Sequence, residues 1–177
     1  MIRLVRPSVK YKKSFLADFL PNSEMQEEYD HAGIAKKDVP SQFAEFVRRI
    51  KLQSKNQYLP KGFVPQSVYW LVDGTKFIGK TSIRHKLTPF LKTVGGHIGY
   101  YIRPSERRKG YGKIILKLAL RKARTLGIRN AVISCDISNL GSKKIIEANG
   151  GRLVDTVDMG KGLPQKLRFR ININGKG

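Results

Sequence analysis

The chain has 177 residues, 40% hydrophobic and 27% charged, and its 35 Lys and Arg against 13 Asp and Glu give a formal charge of +22. That length fits one domain with a sizeable core and leaves little room for a second. No apolar run approaches the ~18 residues of a membrane span, MIRLVRPSVK lacks the apolar stretch of a secretory signal, and the lone Cys135 excludes an internal disulfide, so the expectation is a single-domain cytoplasmic protein spanning 1–177.

Residues 2–6 (IRLVR) alternate apolar and basic, as a half-buried strand does. Pro7 and Ser8 end that run, and Val9, Phe15, Leu16 and Phe19 then recur at helical spacing with Ser8 as the candidate N-cap. Pro21 to Asp38 is polar and reads as an irregular connection. Phe43, Phe46, Val47 and Ile50 mark a second helix, for which Ser41 is the expected cap and Glu45 falls one place beyond a capping box. SVYWLVD and KFIGKTSIRHKL flank Asp73-Gly74-Thr75, a hairpin signal. HIGYYIR is the next strand, ended by Pro104, and a long helix follows over roughly 111–126 with Gly127 as its stop. NAVISCD is short and nearly all apolar, which predicts a strand buried on both faces. SNLGSKKIIEAN predicts a short helix, stopped by Gly150-Gly151, and RLVDTVD and KLRFRININ predict two closing strands joined by a loop at 160–164. Helices interrupting a run of hairpins make a mixed sheet with helices packed on it the economical layout.

The chemistry concentrates at Arg107-Arg108-Lys109-Gly110-Tyr111-Gly112. A helix start leaves about four N–H groups without partners and carries roughly half a positive charge. Two glycines allow close backbone approach, and the flanking cations, Lys113 included, add attraction, so the stretch predicts an anion site suited to a pyrophosphate. A dinucleotide fingerprint would need glycine where Ile115 stands, and the spacing of a P-loop is absent.

The pattern Arg-x-x-Gly-x-Gly between a strand and a long helix resembles motif A of the GNAT superfamily of N-acetyltransferases, in its small, poorly assigned bacterial-type subgroup. Further on, CDISNLGSKKIIEANGG resembles that family's motif B, and the element order matches along nearly the whole chain. The resemblance implies an α/β fold of the α+β type: a mixed, mostly antiparallel central sheet of about seven strands with helices on both faces. It implies acetyl-CoA as co-substrate, with strands 98–102 and 131–135 running parallel and splaying apart around its pantetheine arm. Backbone near Tyr100 and Ile102 would pair with that arm, and the amides from Arg108 to Lys113 would hold the pyrophosphate. Asn139 would hydrogen-bond the pantetheine or its surroundings, and Ser142 would sit beside it. The resemblance also admits a homodimer.

Many members of the family protonate the departing thiolate with a tyrosine in the motif B helix, and Ile146 stands there in this chain. Ser138, Cys135, a tyrosine from elsewhere or water remain open for that step. His97, at the head of the strand entering the site, His85 and Asp136 are candidate bases. Glu28 and Asp30 could meet a cationic acceptor. No His/Cys cluster has metal-ligand spacing, so no metal is expected. Lys113, Lys117, Arg121 and Arg124 form a basic stripe that reads either as a solvated face or as a contact for RNA. Two functions follow: an acetyl-CoA-dependent N-acetyltransferase acting by direct attack of a primary amine in a ternary complex, or a catalytically inactive basic module of the same fold that binds RNA or a ribosomal surface.

Overall fold

The computed structural model describes residues 1–21, 32–160 and 162–173. Strands β1 (Ile2–Val5), β2 (Gln66–Asp73), β3 (Lys76–Arg84) and β4 (Ile98–Ile102) form one sheet in the order β1-β2-β3-β4. Strands β5 (Asn130–Asp136), β6 (Arg152–Val157) and β7 (Lys166–Asn172) form a second in the order β5-β7-β6. The seven expected strands are present, but they divide into two sheets in which every ladder is antiparallel. Five helices accompany them among the described residues: α1 (Lys12–Phe19), α2 (Phe43–Leu52), α3 (Pro89–Thr93), α4 (Tyr111–Thr125) and α5 (Leu140–Glu147). The short α3, capped by the Thr88 side chain, occupies a stretch that the sequence presents only as a connection.

The four-stranded sheet carries helices on both faces because β2 is apolar on both. Trp70 and Val68 point to a cluster with Phe15, Phe19, Phe43 and Phe46 of α1 and α2, whereas Leu71 packs with Ile78 and Ile115 of α4. Phe15 centres the first cluster, stacked on Trp70 at 4.7 Å and edge-on to Phe77 at 5.1 Å. Such ring pairs each add about 0.5–1.5 kcal/mol beyond area burial. The Asp73 hairpin is tight: Asp73 pairs with Lys76, leaving Gly74 and Thr75 as the turn.

Three local expectations need correction. Ser41 does not cap α2. Gln42 holds the cap position, and the Ser41 hydroxyl donates instead to the Asp38 carbonyl at 2.9 Å. Ser8 caps, but it caps a single 3₁₀ turn, Val9–Tyr11, that leads into α1. Strand β5 is buried on one face only, through Ala131, Ile133 and Cys135, while Val132, Ser134 and Asp136 are half-exposed. Its second face is only partly covered, with Ser134 Oγ accepting from the Gly95 N–H at 2.7 Å.

The two sheets meet just before β4. Gly96 bridges Ile133, the His97 N–H donates to the Val132 carbonyl at 2.7 Å, and the Val132 N–H donates to His97 Nδ1 at 3.0 Å. Gly96 has φ +66°, and a Cβ there would lie 2.2 Å from the Val132 oxygen, so only glycine lets the backbones approach this closely. Beyond this bridge no ladder joins β4 to β5 among the described residues.

Candidate active site

Strand β4 pairs with β3 on one side only, so its other edge is open. An open edge presents unpaired N–H and C=O groups to any extended, amide-bearing ligand. That edge forms one wall of a cleft of about 550 Å³, and the starts of α4 and α5 form the other walls. Of the residues singled out in the sequence, Tyr100, Ile102, Arg107, Arg108, Gly112, Asn139 and Ser142 line it. Lys109, Gly110, Tyr111 and Lys113 belong to the same loop and first helical turn but do not line the cleft.

At its mouth the backbone bends sharply. Pro104–Glu106 forms a 3₁₀ turn, Arg108 has φ +64°, and Gly110 caps α4 at φ +83°. Arginine resists that region by roughly 1–2 kcal/mol, whereas glycine does not. Strain of this kind concentrates where a ligand is held. Among the described residues, no carbonyl accepts from the amides of 108–112. A run of open amides at the positive end of a fifteen-residue helix is a ready site for phosphate oxygens.

The cations of the loop are not equivalent. Arg107 Nε donates to the Ile102 carbonyl at 2.9 Å, and its guanidinium lies 5.7 Å from the Tyr101 ring centre. Lys109 is drawn to Glu106, 3.2 Å away. Glu106 is a buried carboxylate that the sequence reading passed over. Its other oxygen accepts from Lys76 at 2.5 Å, and these hydrogen bonds hold its pKa below the ordinary value against the effect of burial. A lone acid inside Ser105-Glu106-Arg107-Arg108-Lys109 was the signal available for it. Tyr101, Gly141 and Ile145 also line the cleft without having been singled out.

On the far wall, Asn139 Oδ1 caps α5 by accepting from the Ser142 N–H at 2.9 Å. The Tyr100 hydroxyl donates to the Ser142 carbonyl at 3.4 Å, and burial pushes the Tyr100 pKa up to about 12. Ile146 is fully buried in a cluster with Leu116, Ala119, Ile133 and Phe169, turned into packing.

The other candidates lie apart. His97 belongs to the seam between the sheets, and burial, then Arg84, lowers its pKa. Asp136 is ion-paired with Lys166, and Ser138 is exposed beyond the end of β5. His85 meets the Ser67 hydroxyl at 2.8 Å, and the Cys135 thiol is raised by burial. Glu28 and Asp30 lie outside the described residues. Among the described residues, no three His, Cys, Asp or Glu gather as metal ligands, and no helix is long and apolar enough to cross a membrane. A more apolar groove of about 820 Å³, beside Phe63 and Phe90, contains none of the candidates.

Solved structures share this fold. A microcin C7 self-immunity acetyltransferase, MccE, in complex with acetyl-CoA and AMP, is 17% identical, with a TM-score of 0.63 over 97% of this chain and 92% of that one. An acetyltransferase of the GNAT family from Bacillus anthracis is 15% identical, with a TM-score of 0.63 over 98% and 96%. The Salmonella typhimurium enzyme that modifies the N-terminal serine of 50S ribosomal subunit protein L7/L12 is 15% identical, with a TM-score of 0.60 over 97% and 94%. At these identities the likeness is one of fold. No curated protein matches the sequence significantly. The sequence itself matches the acetyltransferase (GNAT) domain over residues 2–152, and the chain therefore belongs to the GNAT acetyltransferase family.

Proposed function

We propose that this protein transfers an acetyl group from acetyl-CoA to a primary amine by direct attack within a ternary complex. The observation that carries the proposal is the cleft itself, where the open edge of β4 faces a turn of free amides, 108–112, at the start of α4. The amides and the flanking cations bind the pyrophosphate, and the β4 edge at Tyr100 and Ile102 pairs with the amides of the pantetheine arm. Asn139 and Ser142 close the far side.

The neutral amine adds to the thioester carbonyl carbon, a C–N bond forms, the C–S bond breaks, and the thiolate leaves with a proton. Of the two tyrosines that line the cleft, Tyr101 donates to Asp18, and Tyr100 is the phenol proposed for that proton, taking the place that Ile146 leaves empty of chemistry. His97 is the candidate for the amine's proton. It is held neutral near pH 7, and its Nε2 is not the nitrogen bonded to Val132. Asp136 is tied to Lys166 and Ser138 is solvated, so neither is assigned a step.

A chain at +22 repels polycationic acceptors and favours neutral or anionic ones. Its structural neighbours take chemically diverse acceptors, an N-terminal serine among them. The inactive RNA-binding alternative draws on Ile146 and the charge, and the intact cleft weighs against it. Thermal unfolding with and without acetyl-CoA tests the reading, in the wild type and in Gly110→Asp, which sets a carboxylate in the phosphate site. At 100 times the dissociation constant the wild type should gain roughly 2.7 kcal/mol. A folded wild type with no shift overturns the proposal.

A further inference from the structure

Between residues 107 and 135 the chain has nine Lys and Arg and no Asp or Glu. Helix α4 lies at the centre of that segment. Its inner face packs through Ile115, Leu116, Ala119, Leu120 and Ala123, and its fully exposed residues are Lys113, Lys117, Arg121, Lys122, Arg124 and Thr125. Every exposed position but one is therefore cationic. Strand β1 extends the surface: Arg3, Arg121, Lys122 and Thr125 rim a groove of about 330 Å³ whose lining also includes Ile2, Leu4 and Leu118. Arg6 and Lys122 converge on one half-buried ring, 5.4 and 5.7 Å from the Tyr69 centroid.

Some cations elsewhere in this protein have carboxylate partners: Glu45, Asp136 and Asp155 each neutralise an arginine or lysine. Among the described residues, no ion pair involves Arg3, Lys117, Arg121, Lys122 or Arg124. Like charges gathered without counter-charge repel one another, and an approaching polyanion relieves that repulsion. We propose that the α4–β1 face is a docking surface for the phosphate backbone of an RNA duplex, separate from the acetyl-CoA cleft.

Three features select this occupant. The face exposes no aromatic ring on which unpaired bases could stack, which disfavours single strands. Its exposed helical positions are polar throughout and the apolar side chains of its groove, Ile2, Leu4 and Leu118, are half-buried, so it offers no exposed apolar helix face to a membrane. Helix α4 is packed along its length against β1, β3 and β4 and cannot leave to enter a deep groove. A surface of this kind suits the wide, shallow minor groove and flanking phosphates of an A-form duplex.

The test is fluorescence anisotropy with a labelled ~20-base-pair RNA duplex across a salt series. One variant carries Lys117→Gln, Arg121→Gln and Arg124→Gln, none of which touches the cleft. A control removes the same charge elsewhere through Lys55→Gln, Lys61→Gln and Arg152→Gln. The expected result is a loss of about tenfold or more in affinity, and a fall of roughly 2–3 in the logarithmic salt slope, for the α4 variant only. Unchanged melting and an unchanged acetyl-CoA shift in both variants show that fold and cleft are intact. Equal losses in the two variants, absence of binding at about 50 mM salt, equal affinity for the corresponding DNA duplex, or capture by anionic vesicles in place of RNA would each overturn the proposal.

Discussion

Glu106 Oε1 accepts from Lys76 Nζ at 2.5 Å, tying the loop that opens the cleft to the start of β3. Its second oxygen holds Lys109, so one buried carboxylate sets the shape of a loop otherwise made of cations. Glu106→Gln should keep the fold and lose about 1–2 kcal/mol, a charged hydrogen bond discounted for two half-exposed lysines. Acetyl-CoA affinity should weaken as the loop loosens, and calorimetric titration would show it. The carboxyl has a lowered folded pKa, so its stabilisation is present above the unfolded value of about 4.3 and fades as pH falls through the lower folded one. The difference in thermal midpoint between wild type and Glu106→Gln should shrink over that acidic window.

His97 tests a base against a strut. Its Nδ1 accepts the Val132 amide, and asparagine can present an oxygen in nearly the same place. His97→Asn should therefore retain most of the stability that His97→Ala loses. If the ring is the base, turnover falls in both variants, and only the alanine variant also melts early. The ring's pKa is depressed, so its contribution to stability is complete above the unfolded value of about 6.5 and declines below it. Activity equal to wild type in His97→Asn would remove it from the mechanism.

Tyr100→Phe removes one hydroxyl and a long hydrogen bond, and should cost less than about 1 kcal/mol of stability. As the proton donor it should cost roughly 10²-fold in kcat, with the acetyl-CoA thermal shift retained. With its pKa near 12 the phenol stays protonated across the usual assay range, so the wild-type rate should not fall from this group below pH 10. A kcat within a factor of two of wild type would assign that proton to water.

Phe15→Ala should be the costliest single truncation in the first core. Phe15 is 1% exposed and touches Phe19, Phe43, Phe46, Trp70 and Phe77. A loss of about 3–5 kcal/mol is expected, or roughly 10 °C in thermal midpoint for a chain of this size. A change under 1 kcal/mol by urea titration would mean that the ring cluster repacks.

Elements with strong local chemistry were readable in advance. Gly110 and Gly112 beside three cations announced the sharp turn of open amides before α4, Asp73-Gly74 announced the hairpin, and the heptad-like spacing from Phe43 to Ile50 announced α2. What failed were features decided by partners distant in sequence. The two sheets are joined at the Gly96 bridge and part beyond it, and no local pattern encodes this. Ser41 was read as a cap because serine before a helix usually is one, but its hydroxyl found Asp38 first. Glu106 went unnoticed because its function depends on Lys76, thirty positions earlier. His97 stands out in the sequence only as a candidate base, and its place between the sheets explains why burial acts on it.

An open strand edge that welcomes a ligand is also a template for another polypeptide, since unpaired amides do not distinguish pantetheine from a neighbouring chain. Strand β4 limits that hazard by brevity. It has five residues, preceded by the turn at Gly96 and followed at once by Pro104, which has no N–H to offer a growing ladder. The same shortness limits edge pairing with copies of the chain and gives the cleft a fixed length, so under the proposed function the edge would act as a gauge for an arm of one size.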